Sequence, residues 1–437
     1  MQEFLVQYTK GVCSCGKTHA VTIPQIIVEK NAISKLATLV KQYNAKKVFV
    51  LADVNTFAVA GEKVCKVLGE NDIPFSKYVF QEKNLEPDER AVGSAIMHYD
   101  YSCDLVVAVG SGVINDIGKI VSATAKTPYF IVGTAPSMDG YASASSSMSM
   151  DGLKTSLSTR CANVIIGDID VLKNAPMNML QAGLGDMLAK YVSIAEWRIA
   201  NIITGEYYCE KIADLIRTAL KRCVDNAKGL LARDEKAVKA VFEGLIIGGV
   251  AMALAGVSRP ASGVEHYFSH VWDMRGLEFK TKVDLHGTQC AVATRLVAYL
   301  YQKVASLVPD REKALAFVNA FDYNDWAKTL KEFLGTSADT MILLELKEGK
   351  YDKTKHAKRL EVIIEKWAKI VDVIKSEIPT GEQIDAILNE IGAPKTAKEI
   401  GIDCDLLTTL KATKDIRDKY VLSRLLWDLG VLDQVEL

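Results

Sequence analysis

From Val21 to about Asp170, short apolar runs alternate with stretches in which apolar positions recur every three or four residues. The runs predict strands and are IIV at 26–28, VFVL at 48–51, YVF at 78–80, LVVAV at 105–109, YFIV at 129–132 and NVIIG at 163–167. Stretches such as 32–43 and 88–98 have a helical period, and the second follows Pro87, a residue common where helices begin. The alternation predicts a Rossmann-like α/β domain with a mostly parallel sheet.

After about Val171 the strand pattern fades, and helical periods continue to the end of the chain. We therefore predict an α/β domain at 1–170 and an all-α domain at 171–437, since 437 residues exceed what one core usually fills. The longest apolar stretch, Gly244 to Val257, has 14 residues. It is too short to span a bilayer and predicts a buried helix.

Two segments depart from these patterns. In the serine-rich stretch 142–158, methionine and serine alternate from 147 to 150, which predicts a β-hairpin turning at Asp151-Gly152. The lysine-rich segment 348–358 predicts a solvated surface turn in which His356 is exposed.

Composition narrows the class of protein. Hydrophobic residues make up 49% and charged residues 24%, the formal net charge is -1, and no dense basic cluster is present. These values predict a soluble globular protein without a nucleic-acid or membrane partner. No secretory signal is visible at the N-terminus, and nine scattered cysteines suit a reducing cytoplasm. Cys13, Cys15 and His19 have metal-like spacing, but without a fourth ligand nearby in sequence a plain N-terminal loop is favoured.

A glycine-containing turn follows the strand at 105–109. Gly110-Ser111-Gly112 leads into a helix beginning near Val113, and such a turn presents backbone N–H groups and the positive helix end to a phosphate. The G-x-G element gains weight from its place at a strand-to-helix junction, where open sheets bind nucleotides. Asp53, at the end of another strand, is placed to bind a ribose diol and would oppose a 2′-phosphate, which favours NAD over NADP. The alternative is that Asp53 caps a turn.

Four polar side chains stand in apolar surroundings: Asp186, His266, His270 and His286. A catalytic divalent ion takes about three ligands from Asp, Glu or His and keeps one position open. His266 and His270 are four residues apart and share one face of a helix, although hydrogen-bonded histidines without metal have the same spacing. The set as a whole predicts a metal site.

Five motifs, in this order, resemble the iron-containing alcohol dehydrogenase superfamily: GSGVINDIGK, GTAPSMDGYAS, GLGDMLAKY, SRPASGVEHYFSH and LHGTQ. SRPASGVEH and the C-terminal IRDKYVLSRLLWDLG look most like its bacterial sn-glycerol-1-phosphate dehydrogenases, over nearly the whole chain. The resemblance implies a dehydroquinate synthase-like fold, a cytoplasmic homodimer, and NAD(H)-dependent reduction of dihydroxyacetone phosphate. It also implies one divalent metal ion, zinc or nickel, with NADP possible as cofactor.

Residue by residue, the resemblance implies three sets of roles. Asp186, His266 and His286 would hold the metal, while Asp139 and His270 would lie at the substrate. Cofactor contacts would come from Gly110, Ser111, Gly112, Val113 and Ile114 at the pyrophosphate and from Thr134, Ala135, Pro136, Ser137 and Ser143 at the nicotinamide. Lys190 stands where iron-dependent relatives have a histidine ligand, which argues against iron.

The substrate phosphate requires cationic or N–H donors, and Arg259 is our candidate from sequence. The proton for the C2 oxygen could come from water at the metal or from His270 through a water. Two other reactions stay open: glycerol dehydrogenase acting on the unphosphorylated substrate, and, less favoured by SRPASGVEH and IRDKY, a dehydroquinate synthase-like lyase.

Overall fold

A computed structural model of the chain describes residues 5–19, 21–22, 24–150 and 153–436. The chain divides into two compact units. The first comprises 1–187 and 214–258, and the second comprises 188–213 and 259–437. This division differs from the predicted boundary at 170, because two stretches of the predicted helical domain, 171–187 and 214–258, pack with the α/β unit.

A six-stranded sheet of parallel strands forms the centre of the first unit. Its strands lie in the order β1-β8-β5-β4-β2-β3. They are β1 (Gln25–Glu29), β2 (Val48–Asp53), β3 (Phe75–Phe80), β4 (Leu105–Gly110), β5 (Tyr129–Gly133) and β8 (Val164–Asp168). Every predicted strand is present. The interior strands β2, β4, β5 and β8 are buried almost throughout, which explains why their sequences are continuous apolar runs.

The described part of the first unit also contains α-helices. They are α1 (Leu36–Gln42), α2 (Val54–Thr56), α3 (Glu62–Glu70), α4 (Glu89–Met97), α5 (Gly112–Ala125), α6 (Ile169–Leu172), α7 (Met177–Leu188), α9 (Glu210–Asp225) and α10 (Glu235–Ala255). The last residue of α7 and the first four of α9 lie in the second unit. Asp88 begins α4 as the sequence predicts, because its carboxylate accepts the N–H of Ala91 at 2.7 Å.

The serine-rich segment forms the predicted antiparallel hairpin, with β6 (Ser145–Met150) paired to β7 (Leu153–Ser158). Its predicted turn at Asp151-Gly152 lies outside the described residues.

The apolar stretch at 244–257 belongs to a longer buried helix, α10, of 21 residues. Within the described part of the chain, α10 is the one helix long and apolar enough to cross a membrane, and 83% of its most apolar window is buried inside the protein. It packs on a 3₁₀ turn at Asp139–Ala142 and on β1, so its apolar surface is covered within the first unit. The prediction of a buried helix is confirmed.

The described part of the second unit is helical throughout, as predicted for the C-terminal region. Its helices are α8 (Lys190–Thr204), α11 (Val264–Phe279), α12 (His286–Val304), α13 (Arg311–Asn319), α14 (Tyr323–Leu334), α15 (Ser337–Glu348), α16 (Lys353–Glu377), α17 (Gly381–Glu390), α18 (Leu406–Thr413) and α19 (Leu422–Asp428). Helix α11 packs on α12, and α8 packs on α16. An apolar core that includes Trp272, Tyr301 and Trp427 joins them.

The prediction for the lysine-rich segment is wrong at two side chains. His356 is buried in α16, where its Nε2 lies 2.9 Å from the Asp428 carbonyl and its ring meets Trp427 edge-on. Lys350 is also buried, and its ammonium donates to the Arg417 carbonyl at 2.6 Å. Both polar groups tolerate burial because a backbone oxygen satisfies each of them.

Candidate functional site

The candidate nucleotide site lies at the carboxyl edge of the sheet in the first unit. From β2 the chain proceeds to β3 on one side and then starts β4 on the other side of β2. Open parallel sheets bind ligands where the strand order reverses in this way. Asp53 ends β2 and Gly110 ends β4, so both predicted cofactor residues stand at that point.

Two predicted cofactor segments lie side by side here. The Gly110 carbonyl accepts the Thr134 N–H at 3.1 Å, and the Ser111 hydroxyl lies 2.5 Å from that of Ser137. The segment 110–114 is thereby joined to 134–137. Helix α5 begins at Gly112, so the first-turn N–H groups at Gly112, Val113 and Ile114 have no carbonyl of their own helix to bind. These amides can donate hydrogen bonds to a phosphate group.

Lys119, which was not predicted as a site residue, holds the loop at 140–145 in place. Its buried ammonium donates to the Gly140 carbonyl at 2.7 Å, to the Ser143 hydroxyl at 3.0 Å and to the Ser145 carbonyl at 2.9 Å. Burial lowers the pKa of Lys119. Ser143, predicted as a cofactor contact, is thus held in place by this lysine. Lys119 follows Asn115 by four residues, which is about one turn of α5, and both residues are buried. This spacing is the signal in the sequence that could have identified Lys119.

Asp53 caps a helix, which was the alternative considered for it. Its Oδ1 accepts the N–H groups of Asn55 at 2.8 Å and Thr56 at 2.9 Å at the start of α2. Both cap bonds go to the same carboxylate oxygen, Oδ1. Capping and ribose binding are therefore compatible at this residue.

Asp186 is fully buried on α7, and its Oδ2 accepts the backbone N–H of Asp139 at 2.9 Å. This bond joins the predicted metal ligand to the predicted substrate residue. One turn earlier, Gly183 lies against the Pro136 carbonyl, and a Cβ built at Gly183 would stand 1.7 Å from that oxygen. Only glycine permits this approach of α7 to the 134–137 segment.

We expect Gly183→Ala to weaken NADH binding by tenfold or more and to lower the free energy of unfolding by about 1–3 kcal/mol, because α7 or the 134–137 segment must move. NADH titration and urea unfolding measure the two effects. The matched control is Gly93→Ala in α4, where a Cβ would meet no atom within 4 Å. Equal NADH affinity and stability in Gly183→Ala and wild type would contradict the packing argument.

In the second unit, His266 on α11 and His286 at the start of α12 approach each other, with ring centroids 5.1 Å apart. The Nδ1 of His266 lies 2.7 Å from Glu265 Oε1, and the Nδ1 of His286 lies 2.8 Å from the Ser269 hydroxyl. Partners at Nδ1 fix the ring orientation and direct Nε2 toward a ligand position, as is usual for metal-binding histidines. The donor set fits a divalent ion.

Cys290 stands beside both rings and was missed from sequence. Its Sγ lies 3.6 Å from His286 Nε2, and the three donor atoms of Cys290, His266 and His286 lie within 4.8 Å of one another. Burial raises the pKa of the thiol, but His266 and His286 lower it by more. Cys290 follows His286 by four residues on one helix, so the spacing alone would have placed them together.

His270 lies one turn after His266 and 6.1 Å from the His286 ring centroid. Burial, followed by the positive charge of Arg417 and by the other two histidines, lowers the pKa of His270 well below its usual range. The ring is therefore neutral at pH 7. Burial and the charges of Arg259 and Arg417 also lower the pKa of Lys419, to about 7.

Arg259 is not available for a phosphate, so our sequence candidate is wrong. The side chain is 1% exposed, and its Nε donates to Glu206 at 2.6 Å while Nη2 donates to the second oxygen of the same carboxylate. Its Nη1 donates to the Tyr420 carbonyl at 2.9 Å. A buried arginine with a bidentate partner is part of the structure of this unit, and withdrawing it would leave Glu206 unpaired.

Lys190, which the family resemblance places where iron-dependent relatives have a histidine, is buried, and its ammonium donates to the Ala261 carbonyl at 3.1 Å. A protonated amine cannot coordinate a metal ion. The structure thus gives this lysine a backbone partner in the second unit.

Known proteins resemble this chain in sequence and fold. A sequence model of the family described as iron-containing alcohol dehydrogenase matches residues 27–176. A glycerol-1-phosphate dehydrogenase [NAD(P)+] of Geobacillus thermodenitrificans is 34% identical over 67% of this chain and 73% of the relative. One of Geobacillus stearothermophilus is 28% identical over 90% of both chains. In fold, the crystal structure of glycerol dehydrogenase from Schizosaccharomyces pombe matches with a TM-score of 0.61 at 16% identity, covering 95% of this chain and 90% of the other.

The fold predicted from the family resemblance is confirmed by this structural likeness. The chain is an NAD(P)-dependent oxidoreductase and belongs to the glycerol-1-phosphate dehydrogenase family of the iron-containing alcohol dehydrogenases.

Proposed function

We propose that this protein reduces dihydroxyacetone phosphate at C2 to sn-glycerol 1-phosphate, with NADH as hydride donor and a divalent metal ion at the reacting oxygen. The main support for the proposal is that His266 and His286 each have a hydrogen-bond partner at Nδ1 that orients the ring, in a chain that belongs to this family.

The metal ligands in this proposal are Asp186, His266 and His286, as the family resemblance implies. A bound divalent ion supplies Lewis-acid stabilisation of the negative charge that develops on the substrate C2 oxygen. Nitrogen and carboxylate donors suit zinc or nickel, and Lys190 adds no fourth ligand. Glu265 and Ser269 hold the imidazole rings of His266 and His286 in their orientations. The backbone N–H of Asp139 positions the Asp186 carboxylate.

The cofactor in this proposal is NAD(H), with NADP(H) as the second option. The N–H groups at the start of α5 hold the pyrophosphate, and the 134–137 segment, braced by Ser111, meets the nicotinamide end. Asp53 binds the ribose with the carboxylate oxygen that its helix cap does not use. Its negative charge opposes a 2′-phosphate.

His270 transfers the proton to the substrate C2 oxygen and is a neutral imidazole in the resting enzyme. Because burial and Arg417 lower its pKa well below the usual range, one ring nitrogen donates and the other accepts at pH 7. His270 can therefore pass a proton from a water to the C2 oxygen without carrying a charge in the resting enzyme. Asp139, half-buried beside Asp186, binds the substrate hydroxyl groups in this scheme.

The phosphate of the substrate is bound by Arg417 and Lys419, which replace Arg259 in this role. The positive charges of Arg417 and Lys419 both lower the pKa of His270, the residue that we place beside the substrate. Burial and the charges of Arg259 and Arg417 lower the pKa of the half-buried Lys419 to about 7, against the opposite effect of Glu265 and Glu196. Its ammonium donates to the Ser262 carbonyl at 2.8 Å, and a phosphate dianion beside it would stabilise its protonated form. Glycerol itself offers no such charge.

For the whole molecule we propose a cytoplasmic homodimer without a nucleic-acid or membrane partner, as the family resemblance and the near-neutral net charge of -1 suggest.

The test of the proposed function compares two substrates under the same conditions. Charge-assisted hydrogen bonds contribute ~1.5–3 kcal/mol each, so two of them predict a preference on the order of a hundredfold or more in kcat/KM for dihydroxyacetone phosphate over dihydroxyacetone. NADH oxidation measures both rates. A preference for unphosphorylated dihydroxyacetone would replace this proposal with glycerol dehydrogenase activity.

A further inference from the structure

Three side chains of metal-binding type converge in the N-terminal segment of the first unit. The donor atoms of Cys13, Cys15 and His19 all lie within 4.8 Å of one another. His19 is 4% exposed, whereas both cysteines are half-buried and stand at the surface end of the group. The cluster lies outside the groups to which we have assigned catalysis and cofactor binding.

A tight turn brings the two cysteines to one side of the segment. The Gly16 N–H donates to the Cys13 carbonyl at 2.8 Å, and the Cys13 N–H donates to the Lys17 carbonyl at 2.9 Å. The backbone reverses through Gly16, which adopts a φ of 83° that other residues rarely tolerate. The turn therefore holds both sulfur atoms together before any ligand is bound.

His19 is oriented as a ligand by the C-terminal end of α10. Its Nδ1 donates to the Leu254 carbonyl at 2.8 Å, one of the last carbonyls of that helix. With Nδ1 as the donor, the lone pair is on Nε2, which lies 3.6 Å from Cys15 Sγ. Zinc–sulfur and zinc–nitrogen bonds of usual length at a tetrahedral angle would place these atoms about 3.6 Å apart.

We propose that Cys13, Cys15 and His19 bind a structural zinc ion, separate from the metal at the reacting centre. Two thiolates and one imidazole are donors that zinc prefers over calcium or magnesium, and two thiolates neutralise its charge. The ion fastens residues 13–19 to the negative end of the α10 dipole through the His19 ring. The fourth tetrahedral position belongs to one further donor, which the experiment below identifies.

The test measures metal per chain in wild type, in Cys13→Ser/Cys15→Ser and in His19→Gln, with Cys65→Ser as the matched control at a half-buried cysteine of α3. We expect the first two variants to lose one equivalent of zinc relative to wild type and to melt at lower temperature, with kcat close to wild type. Cys65→Ser should keep all of its metal. Alkylation of the zinc-loaded protein should leave Cys13 and Cys15 protected, together with any cysteine that completes the coordination.

Cobalt substitution distinguishes this site from the reacting centre. Thiolate ligands give Co²⁺ an intense near-ultraviolet charge-transfer band, which we expect to persist in His266→Ala and to vanish in Cys13→Ser/Cys15→Ser. Unchanged metal content in the double variant would overturn the proposal, as would a Cys13–Cys15 disulfide in protein prepared with zinc and reductant.

Discussion

Replacing His266 or His286 with alanine is expected to remove metal from the reacting centre and to lower kcat/KM by about a thousandfold or more, since a Lewis acid contributes several kcal/mol to charge stabilisation. Loss of one of three protein ligands leaves too few to hold the ion. Metal analysis and NADH oxidation with dihydroxyacetone phosphate measure the two losses in the same preparation. Ser269→Ala, which removes only the Nδ1 partner of His286, should cost less, about 10–100-fold.

The control for these variants is His98→Ala, since His98 is an exposed histidine of the first unit whose ring stacks on Tyr78. It should keep metal and activity. If either His266→Ala or His286→Ala retained stoichiometric metal and near-normal turnover, the ligand assignment would be wrong, whatever the substrate.

The second large effect concerns Lys419 and the substrate phosphate. We expect Lys419→Ala to lower kcat/KM for dihydroxyacetone phosphate by about 10–150-fold, the value of one hydrogen bond between charged groups, and to leave turnover of dihydroxyacetone unchanged. The reason is that a phosphate dianion would interact with the Lys419 ammonium, whose charge is opposed by burial and by Arg259 and Arg417, whereas dihydroxyacetone carries no charge. Lys358→Ala, at an exposed lysine of α16, is the matched control and should change neither rate.

The pH dependence follows from the lowered pKa of Lys419. A lysine with a pKa of about 7 is charged below that pH and loses its charge above it, so kcat/KM for the phosphorylated substrate should fall as pH rises through about 7. Lys419→Arg should abolish this fall, because arginine stays protonated. An identical alkaline fall with dihydroxyacetone would show that another group is responsible.

The sequence predicts the strands well because interior parallel strands must be apolar throughout, as the residues of β4 show. Which strands are neighbours does not follow from such runs. The domain boundary at 170 differs from the observed division because the helical period of α10 is the same whether it packs on the sheet or in the helical unit. The hydrophobic pattern predicts which residues are buried, but it does not predict which element packs on them.

At the candidate sites, the spacing of residues within a motif predicted which side chains lie together, whereas predictions for single polar residues were wrong at two positions. Spacing placed His266 and His270 on one helix, and Cys290, the neighbour we missed, follows His286 by four positions on the next. Arg259 and His356 were assigned to exposed or ligand-binding positions, yet partners distant in sequence, Glu206 and Asp428, account for their burial. The cost of burying a polar group depends on such long-range partners, which a single sequence does not reveal.

The most direct test of the central claim is turnover in the oxidative direction with NAD⁺ and three substrates: sn-glycerol 1-phosphate, sn-glycerol 3-phosphate and glycerol. We expect oxidation of sn-glycerol 1-phosphate with kcat/KM on the order of a hundredfold or more above glycerol, since only the phosphate ester could bind the proposed pair Arg417 and Lys419. The 3-phosphate enantiomer should be turned over far more slowly, because its phosphate and its reacting hydrogen cannot both be in place. Comparable rates with both enantiomers, or a preference for glycerol, would contradict the central claim.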